Sequence, residues 1–280
     1  MNAPRAFDLQ HYETLNRVRS DVVRSLIMEL KVPLGLQSAI DVGCGLGYFS
    51  GFLQSLGFNV TAVDGRPENA AEAARRFPSI PFHVMNAEDP QPRTLGAFDL
   101  VFCFGLLYHL ENPLLVIRQL RAMSRSLLIV EGMCIPGETS TMELLDENQI
   151  DDQGLNYVGF YPSEPCLIKM LYRAGYPFVY RLRKPPADFR FMGTRSRKRE
   201  RTLLVASMQN LITPGLALAS EPLRSATGPA NPWDTVLGRF FSRKSIAHLL
   251  GVRIPRFLRR PWIEKREIIS WYTRRAGHRH

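Results

Sequence analysis

The stretch Ala39-Ile40-Asp41-Val42-Gly43-Cys44-Gly45-Leu46-Gly47-Tyr48-Phe49 decides the fold. Ser38 to Val42 reads as a short buried strand, Gly43 to Gly47 as a glycine-rich turn, and Tyr48 to Leu56 as a helix stopped by Gly57. Glycine opens backbone conformations closed to other residues and lets a ligand come close to the main chain. A turn of this kind at the carboxyl end of a strand is a ligand site in open α/β sheets. The spacing is not G-x-G-x-x-G, so a dinucleotide fingerprint fits poorly. The loop amides and the helix N-terminus suit the carboxylate of a zwitterionic amino-acid group instead.

Outward from this stretch, strand-type and helix-type segments alternate. Asn59 to Val63, Ile80 to Met85, Phe98 to Phe102 and Ser126 to Val130 read as strands. Pro67 to Phe77 and Pro113 to Met123 read as helices between them. Such alternation predicts parallel pairing and a doubly wound α/β sheet. Before the loop, Phe7 to Lys31 reads as a helix, with Asp8 as its N-cap and Leu15, Val18, Val22, Leu26 and Leu30 at helical spacing. After Glu131 the rhythm breaks. Cys134 to Tyr161 holds an acidic cluster (Asp146, Glu147, Asp151, Asp152) and no clear period, and reads as an insertion over the active face. Ser163 to Ala174 resumes as a helix. Tyr176 to Leu182 and Thr202 to Met208 then read as two strands with no helix between them, an antiparallel hairpin at the sheet edge. The basic run at 195–199 reads as its solvated tip.

Composition narrows the class. The chain has 280 residues, 45% hydrophobic and 22% charged, ordinary values for a globular protein. No secretory signal is evident, and no apolar run approaches the roughly 20 residues of a membrane-spanning helix. Four cysteines without a C-x-x-C pair predict a reduced, cytoplasmic protein without a metal site. The net charge of +10 is concentrated at one end. From Asn210 to His280 there are 13 basic and 4 acidic residues, whereas the first 209 residues hold 23 and 22. The sequence therefore divides into an N-terminal helix (1–37), a central domain (38–209) and a basic C-terminal extension (210–280) opened by Pro214, Gly215, Pro222, Gly228, Pro229 and Pro232. In the extension, arginines and lysines interleave with Phe240, Phe241, Phe257, Trp262, Trp271 and Tyr272. That pattern suits nucleic acid, an anionic membrane surface approached from the cytoplasm, or docking on the core or a second subunit. The oligomeric state is left open.

Two further strand ends carry site signals. Asp64, followed by Gly65, closes the second strand about 20 residues beyond the glycine loop, where an acid accepts hydrogen bonds from ribose hydroxyls. Asn86-Ala87-Glu88-Asp89 follows the third strand, where short polar side chains can meet an adenine amino group.

Together these features resemble the class I S-adenosylmethionine-dependent methyltransferases, in their type 11 and type 23 branches. Asp41, Gly43, Gly45 and Gly47 match the glycine-rich first motif, Asp64 the ribose-binding acid, and Asn86, Ala87 and Glu88 or Asp89 the adenine-contacting motif. Phe98-Asp99-Leu100-Val101-Phe102 opens the fourth strand as that family does. The resemblance covers roughly Ala39 to Met208. It implies a Rossmann-like, seven-stranded, mostly parallel sheet with an antiparallel edge strand, and S-adenosyl-L-methionine as cofactor. It also implies that Phe104 and Gly65 join the cofactor contacts and that the N-terminal helix acts as a lid, with His11, Tyr12 and Arg17 able to reach inward.

The segment Phe104-Gly105-Leu106-Leu107-Tyr108-His109 follows the fourth strand, where the family meets the transferred methyl group. His109 is the catalytic candidate, as a general base for a hydroxyl acceptor; a role in shaping the cofactor pocket stands beside it. Tyr157, Tyr161 and Arg173 are candidates for the acceptor pocket. Gly105-Leu106-Leu107-Tyr108-His109 with Pro113, Glu131 and Tyr161-Pro162-Ser163 is also similar to the tRNA wobble-uridine carboxymethyltransferases, which use a carboxylated cofactor. The expectation is methyl transfer to oxygen or nitrogen of a small-molecule or glycan acceptor in a biosynthetic pathway. An RNA-modifying methyl- or carboxymethyltransferase and a non-catalytic cofactor-binding subunit are the alternatives.

Overall fold

In a computed structural model, the structure describes residues 5–150, 152–193 and 200–222. Helix α1 (Gln10–Lys31) precedes strand β1 (Ser38–Val42), α2 (Tyr48–Ser55), β2 (Asn59–Asp64), α3 (Pro67–Arg76), β3 (Phe82–Val84) and β4 (Phe98–Phe104). Then come α4 (Pro113–Met123), β5 (Ser124–Met133), β6 (Met142–Asp146), β7 (Val158–Pro162), α5 (Glu164–Arg173) and β8 (Phe178–Leu182). A one-turn helix α6 (Phe189–Met192), β9 (Arg201–Ser207) and β10 (Leu216–Leu218) complete the described chain.

The main sheet runs in the order β10-β8-β9-β5-β4-β1-β2-β3. Strands β3, β2, β1, β4 and β5 are mutually parallel, which requires the helical crossovers that the alternation predicts. From β1 the chain winds outward to β2 and β3 on one side, and β4 and β5 lie on the other. The strand order therefore reverses between β1 and β4, the place where such sheets bind ligands.

Strand β4 shows how the two layers form. Leu100, Phe102 and Phe104 pack into the cluster that includes Leu15, Val23 and Leu26 of α1 and Phe49 and Leu53 of α2. Val101 and Cys103 face the opposite cluster, with Val116 and Ile117 of α4 and Leu167 and Ile168 of α5. The period of two along a strand buried on both faces produces both layers from one apolar run.

Three expectations need correction. Among the described residues the sheet has eight strands, not seven: Leu216-Ala217-Leu218 adds β10 antiparallel to β8. Its three residues lie beside Pro214 and Gly215, in a stretch expected to open the extension, and a strand this short carries no readable period. The antiparallel pairing of β8 and β9 and an antiparallel edge strand, here β10, are as expected, but the two strands are not joined without a helix: the one-turn α6 stands between them, and β9 lies between β5 and β8, antiparallel to both. Helix α1 is preceded by Leu9, without a side-chain cap. Asp8 sits in a 3-10 turn, where both its carboxylate oxygens accept from Arg76 at 2.8 Å.

The insertion after β5 forms an antiparallel hairpin, β6 and β7, with every residue of β6 exposed. Among the described residues no helix is long and apolar enough to cross a membrane. The run at 195–199 and all residues from 223 onward, and with them the basic, aromatic part of the extension, lie outside the described residues.

Candidate active site

A cavity of about 600 Å³ opens where β1, β2 and β4 end, and α1 and the β6–β7 insertion also contribute to its lining. The glycine loop forms its floor. Gly43, Gly45 and Gly47 have φ of 77°, 52° and 83°, the left-handed region that costs glycine little and other residues much. The amides of Gly43 and Cys44 donate to the Val63 carbonyl at 2.9 and 3.0 Å, and that of Gly47 to the Cys44 carbonyl at 2.9 Å. The Gly45 amide donates to Asp64 at 2.8 Å. Four of the loop amides are thus engaged within the protein, contrary to the expectation that they hold a carboxylate.

Asp64 is buried yet borders the cavity. Besides the Gly45 amide it accepts from the Arg66 amide at 2.9 Å and Asn69 at 3.2 Å. Two carboxylate oxygens offer about four lone-pair sites, so one acceptor position is left for a ligand hydroxyl. Burial raises its pKa, against these hydrogen bonds. Gly65 borders the same space; a Cβ there would stand 2.8 Å from Leu155 of the insertion.

Asp41, expected as a direct contact, lies behind the loop and not on the cavity lining. Its carboxylate accepts from the Ser50 hydroxyl at 2.7 Å, which pins β1 to α2. Desolvation pushes its pKa up to about 7.

After β3, Asn86, Ala87 and Glu88 line the cavity and Asp89 does not. Glu88 accepts from the Asn112 amide at 2.7 Å, and Gln119 clamps the backbone beneath it by donating to the Ala87 and Glu88 carbonyls, each at 3.0 Å. Phe104 lines the cavity and packs against Phe102 and Phe49, with ring centroids 3.9 and 4.9 Å away.

On the acceptor side His109 borders the cavity, and its Nδ1 lies 2.6 Å from Glu147 of the insertion. Tyr108 and Tyr161 stand beside it, with ring centroids 5.3 Å apart. Tyr157 lies off the cavity, under the Arg66 guanidinium; Arg173 faces away and pairs with Glu221 at 2.9 Å. From α1, Tyr12 and Arg17 reach the cavity, and His11 packs on Tyr12 instead. The Tyr12 hydroxyl donates to Asp152, joining α1 to the insertion.

The sequence reading missed a charge cluster. Glu131, fully buried at the end of β5, accepts from Arg201 Nε at 2.6 Å and from Arg19 at 2.9 Å. Arg201 also donates to the Tyr108 hydroxyl at 3.3 Å. Burial raises the Glu131 pKa, but the two arginines outweigh it and hold the carboxyl below its ordinary range. Two cations share one carboxylate, so the cluster keeps one positive charge in excess, and both arginines border the cavity. Arg19 could have been found: it lies four residues after Leu15 and four before Val23, on the buried stripe of α1.

Residues 40–127 match the family profile described as a methyltransferase domain. These residues are a methyltransferase domain. Within it fall the glycine loop, Asp64, Glu88 and His109; Arg19, Glu131, Glu147 and Arg201 fall outside. The curated relatives include tRNA U34 carboxymethyltransferase of Pseudomonas syringae pv. tomato, 33% identical over 152 residues, which are 50% of this chain and 45% of that one. The enzyme of the same name from Shewanella woodyi is 32% identical over 165 residues, 56% and 49% of the two chains. The chain thus spans about half the length of the curated relatives it matches. Among solved structures, the N-terminal domain of EvdMO1 with SAH bound superposes with a TM-score of 0.54 at 18% identity, over 68% of this chain and 81% of that one. At that identity the likeness concerns the fold alone.

Proposed function

We propose that this chain transfers a methyl group from S-adenosylmethionine to an oxygen or nitrogen of a small-molecule or glycan acceptor. The observation that carries the reading is one cavity bordered by both the Gly43–Gly47 loop with Asp64 and the pair His109 and Arg201. A donor and an acceptor held in one cavity react as an intramolecular pair, which can contribute much of the rate of an in-line displacement.

The residues present fit the cofactor. Asp64 has a free acceptor position for a ribose hydroxyl. Asn86, Ala87 and Glu88 form a polar edge for an adenine, Phe104 an apolar surface, and Arg17 a cation for the amino-acid carboxylate. Bound there, the cofactor supplies an electrophilic methyl carbon. Helix α1 covers the site as a lid, with Arg19 and Tyr12 facing inward, and His109 takes the acceptor proton.

The experiment is calorimetry with S-adenosylmethionine and S-adenosylhomocysteine. Saturable one-site binding of both, weakened with Asp64→Ala, supports the reading. A folded protein that binds neither ends it.

A second reading is carboxymethyl transfer to the wobble uridine of tRNA, the reaction named in the relatives. The surplus cation at Arg19 and Arg201 favours it, because a carboxylate on the transferred group would find its charge matched there. This reading expects tRNA to co-purify and its binding to weaken steeply with salt. It also expects the carboxylated cofactor to outcompete the plain one, and Arg201→Gln to abolish that preference.

A further inference from the structure

We propose that Glu147 is a positioning residue: it holds His109 in the tautomer whose Nε2 is bare toward the cavity, ready to take the proton of an acceptor hydroxyl. The inference rests on the methyl-transfer reading above and names a part of the site outside the methyltransferase domain.

The geometry is specific. Glu147 is brought in by the exposed strand β6, yet its own side chain is only 2% exposed. Three donors surround its carboxylate: His109 Nδ1 at 2.6 Å, the Gly154 amide at 2.8 Å and the Tyr161 hydroxyl at 3.5 Å. Its own amide donates to the Tyr157 carbonyl at 2.8 Å, and Tyr157 holds a φ of 54°, so the turn that delivers Glu147 is closed on both sides. The insertion also lies flush on the backbone it addresses. A Cβ at Gly154 would come within 2.4 Å of the His109 carbonyl oxygen, and one at Gly159 equally close to that of Tyr108. Any side chain at either glycine would lift the hairpin off and draw Glu147 away.

Chemistry fixes the proton. Burial raises the Glu147 pKa, but the hydrogen bond from His109, the charge of that ring when it is protonated, and the Gly154 and Tyr161 donors together hold it below its ordinary value. An ionised carboxylate only accepts hydrogen bonds, so Nδ1 is the donor and carries the hydrogen. In the neutral ring Nε2 then has the free lone pair. Among the described residues nothing bonds to Nε2, and His109 borders the cavity. As an acceptor oxygen forms its bond to the methyl carbon, the carbon–sulfur electron pair stays on sulfur. The O–H pair stays on oxygen, the proton passes to Nε2, and the carboxylate of Glu147 balances the imidazolium. A base built this way points to an acceptor that must lose a proton, a hydroxyl and not a carboxylate.

The test is long-range proton–nitrogen NMR of the full chain labelled with 15N-histidine, with His109→Gln assigning the signal. Wild-type His109 is expected to show protonated Nδ1 and bare Nε2. Glu147→Gln, whose amide oxygen still accepts, should keep that pattern; Glu147→Ala should lose it, with hydrogen appearing on Nε2. A wild-type ring protonated on Nε2 overturns the proposal without any variant, and so does a tautomer that Glu147→Ala leaves unchanged. Calorimetry with S-adenosylhomocysteine separates the two readings. Wild type that ignores it sinks the methyl-transfer reading, whereas binding together with the wrong tautomer sinks the dyad alone.

Discussion

Arg19, midway along α1, donates to Glu131, at the end of β5, across 2.9 Å, and both side chains are closed to solvent. This pair fastens the N-terminal helix to the centre of the sheet, with Arg201 completing the cluster from β9. Removing the carboxylate leaves two buried cations with no counter-charge. Glu131→Gln is expected to cost about 3–5 kcal/mol, the usual loss when one partner of a buried ion pair is deleted. Urea unfolding followed by circular dichroism measures it, and a loss below about 1 kcal/mol, the range of exposed pairs, would show that the cluster is solvated. The sign with pH follows from the lowered carboxyl: the stabilisation is present above the unfolded value near 4.5 and disappears as pH falls through the folded one.

Asp64 accepts from three donors of the protein and keeps a position for a ligand. Asp64→Ala is expected to weaken S-adenosylhomocysteine by about 10- to 100-fold, the equivalent of about 1.5–3 kcal/mol for a hydrogen bond to a charged group. Calorimetry on the folded variant reads it, with Asp64→Asn retaining part of the affinity.

Asp41 runs the opposite way with pH. Its folded pKa of about 7 lies above the ordinary 3.8, so the folded state holds a proton that the unfolded chain releases. That contribution is complete below about pH 4 and is lost as pH rises through 7. Between pH 6 and 8 the ligand-free protein should lose about 1 kcal/mol that Asp41→Asn does not lose. Thermal melts of both at the two pH values test this; parallel slopes would refute it.

Ser163 caps α5 by accepting from the Cys166 amide at 3.2 Å, and its hydroxyl donates to the Thr139 carbonyl at 2.6 Å. Ser163→Ala is expected to lower stability by about 1–2 kcal/mol, as for other lost caps. Hydrogen exchange should show faster opening at residues 139–142 than in the parallel strands.

Much of the fold was legible because it rests on local rules. Three glycines after an apolar strand, and strands alternating with proline-started helices, need no knowledge of distant residues. Asp64, Glu88 and His109 could be placed on the cavity because Asp64 closes a strand and the other two follow strand ends within a few residues. The charge cluster and the Glu147 contact were not legible in this way. Glu147 lies 38 residues after His109, in an acidic, aperiodic stretch, and nothing local distinguishes it from Asp146 or Asp152. Arg201 lies two residues beyond a basic run and one before the expected strand, and only the pairing of β9 with β5 shows that it is buried. Asp41 failed for a different reason: the strand was right, but its side chain turns toward Ser50 and away from the ligand space.

The reversed direction of β9 has a consequence of its own. Parallel strands deliver their last residues and the following loops to the ligand side, so the groups there usually ride on flexible connections. β9 delivers its first residue instead, and Arg201 stands opposite Met133 within the backbone ladder. Its cation is therefore anchored like a post in a frame, and the loops around it can be exchanged for other acceptors without moving the charge.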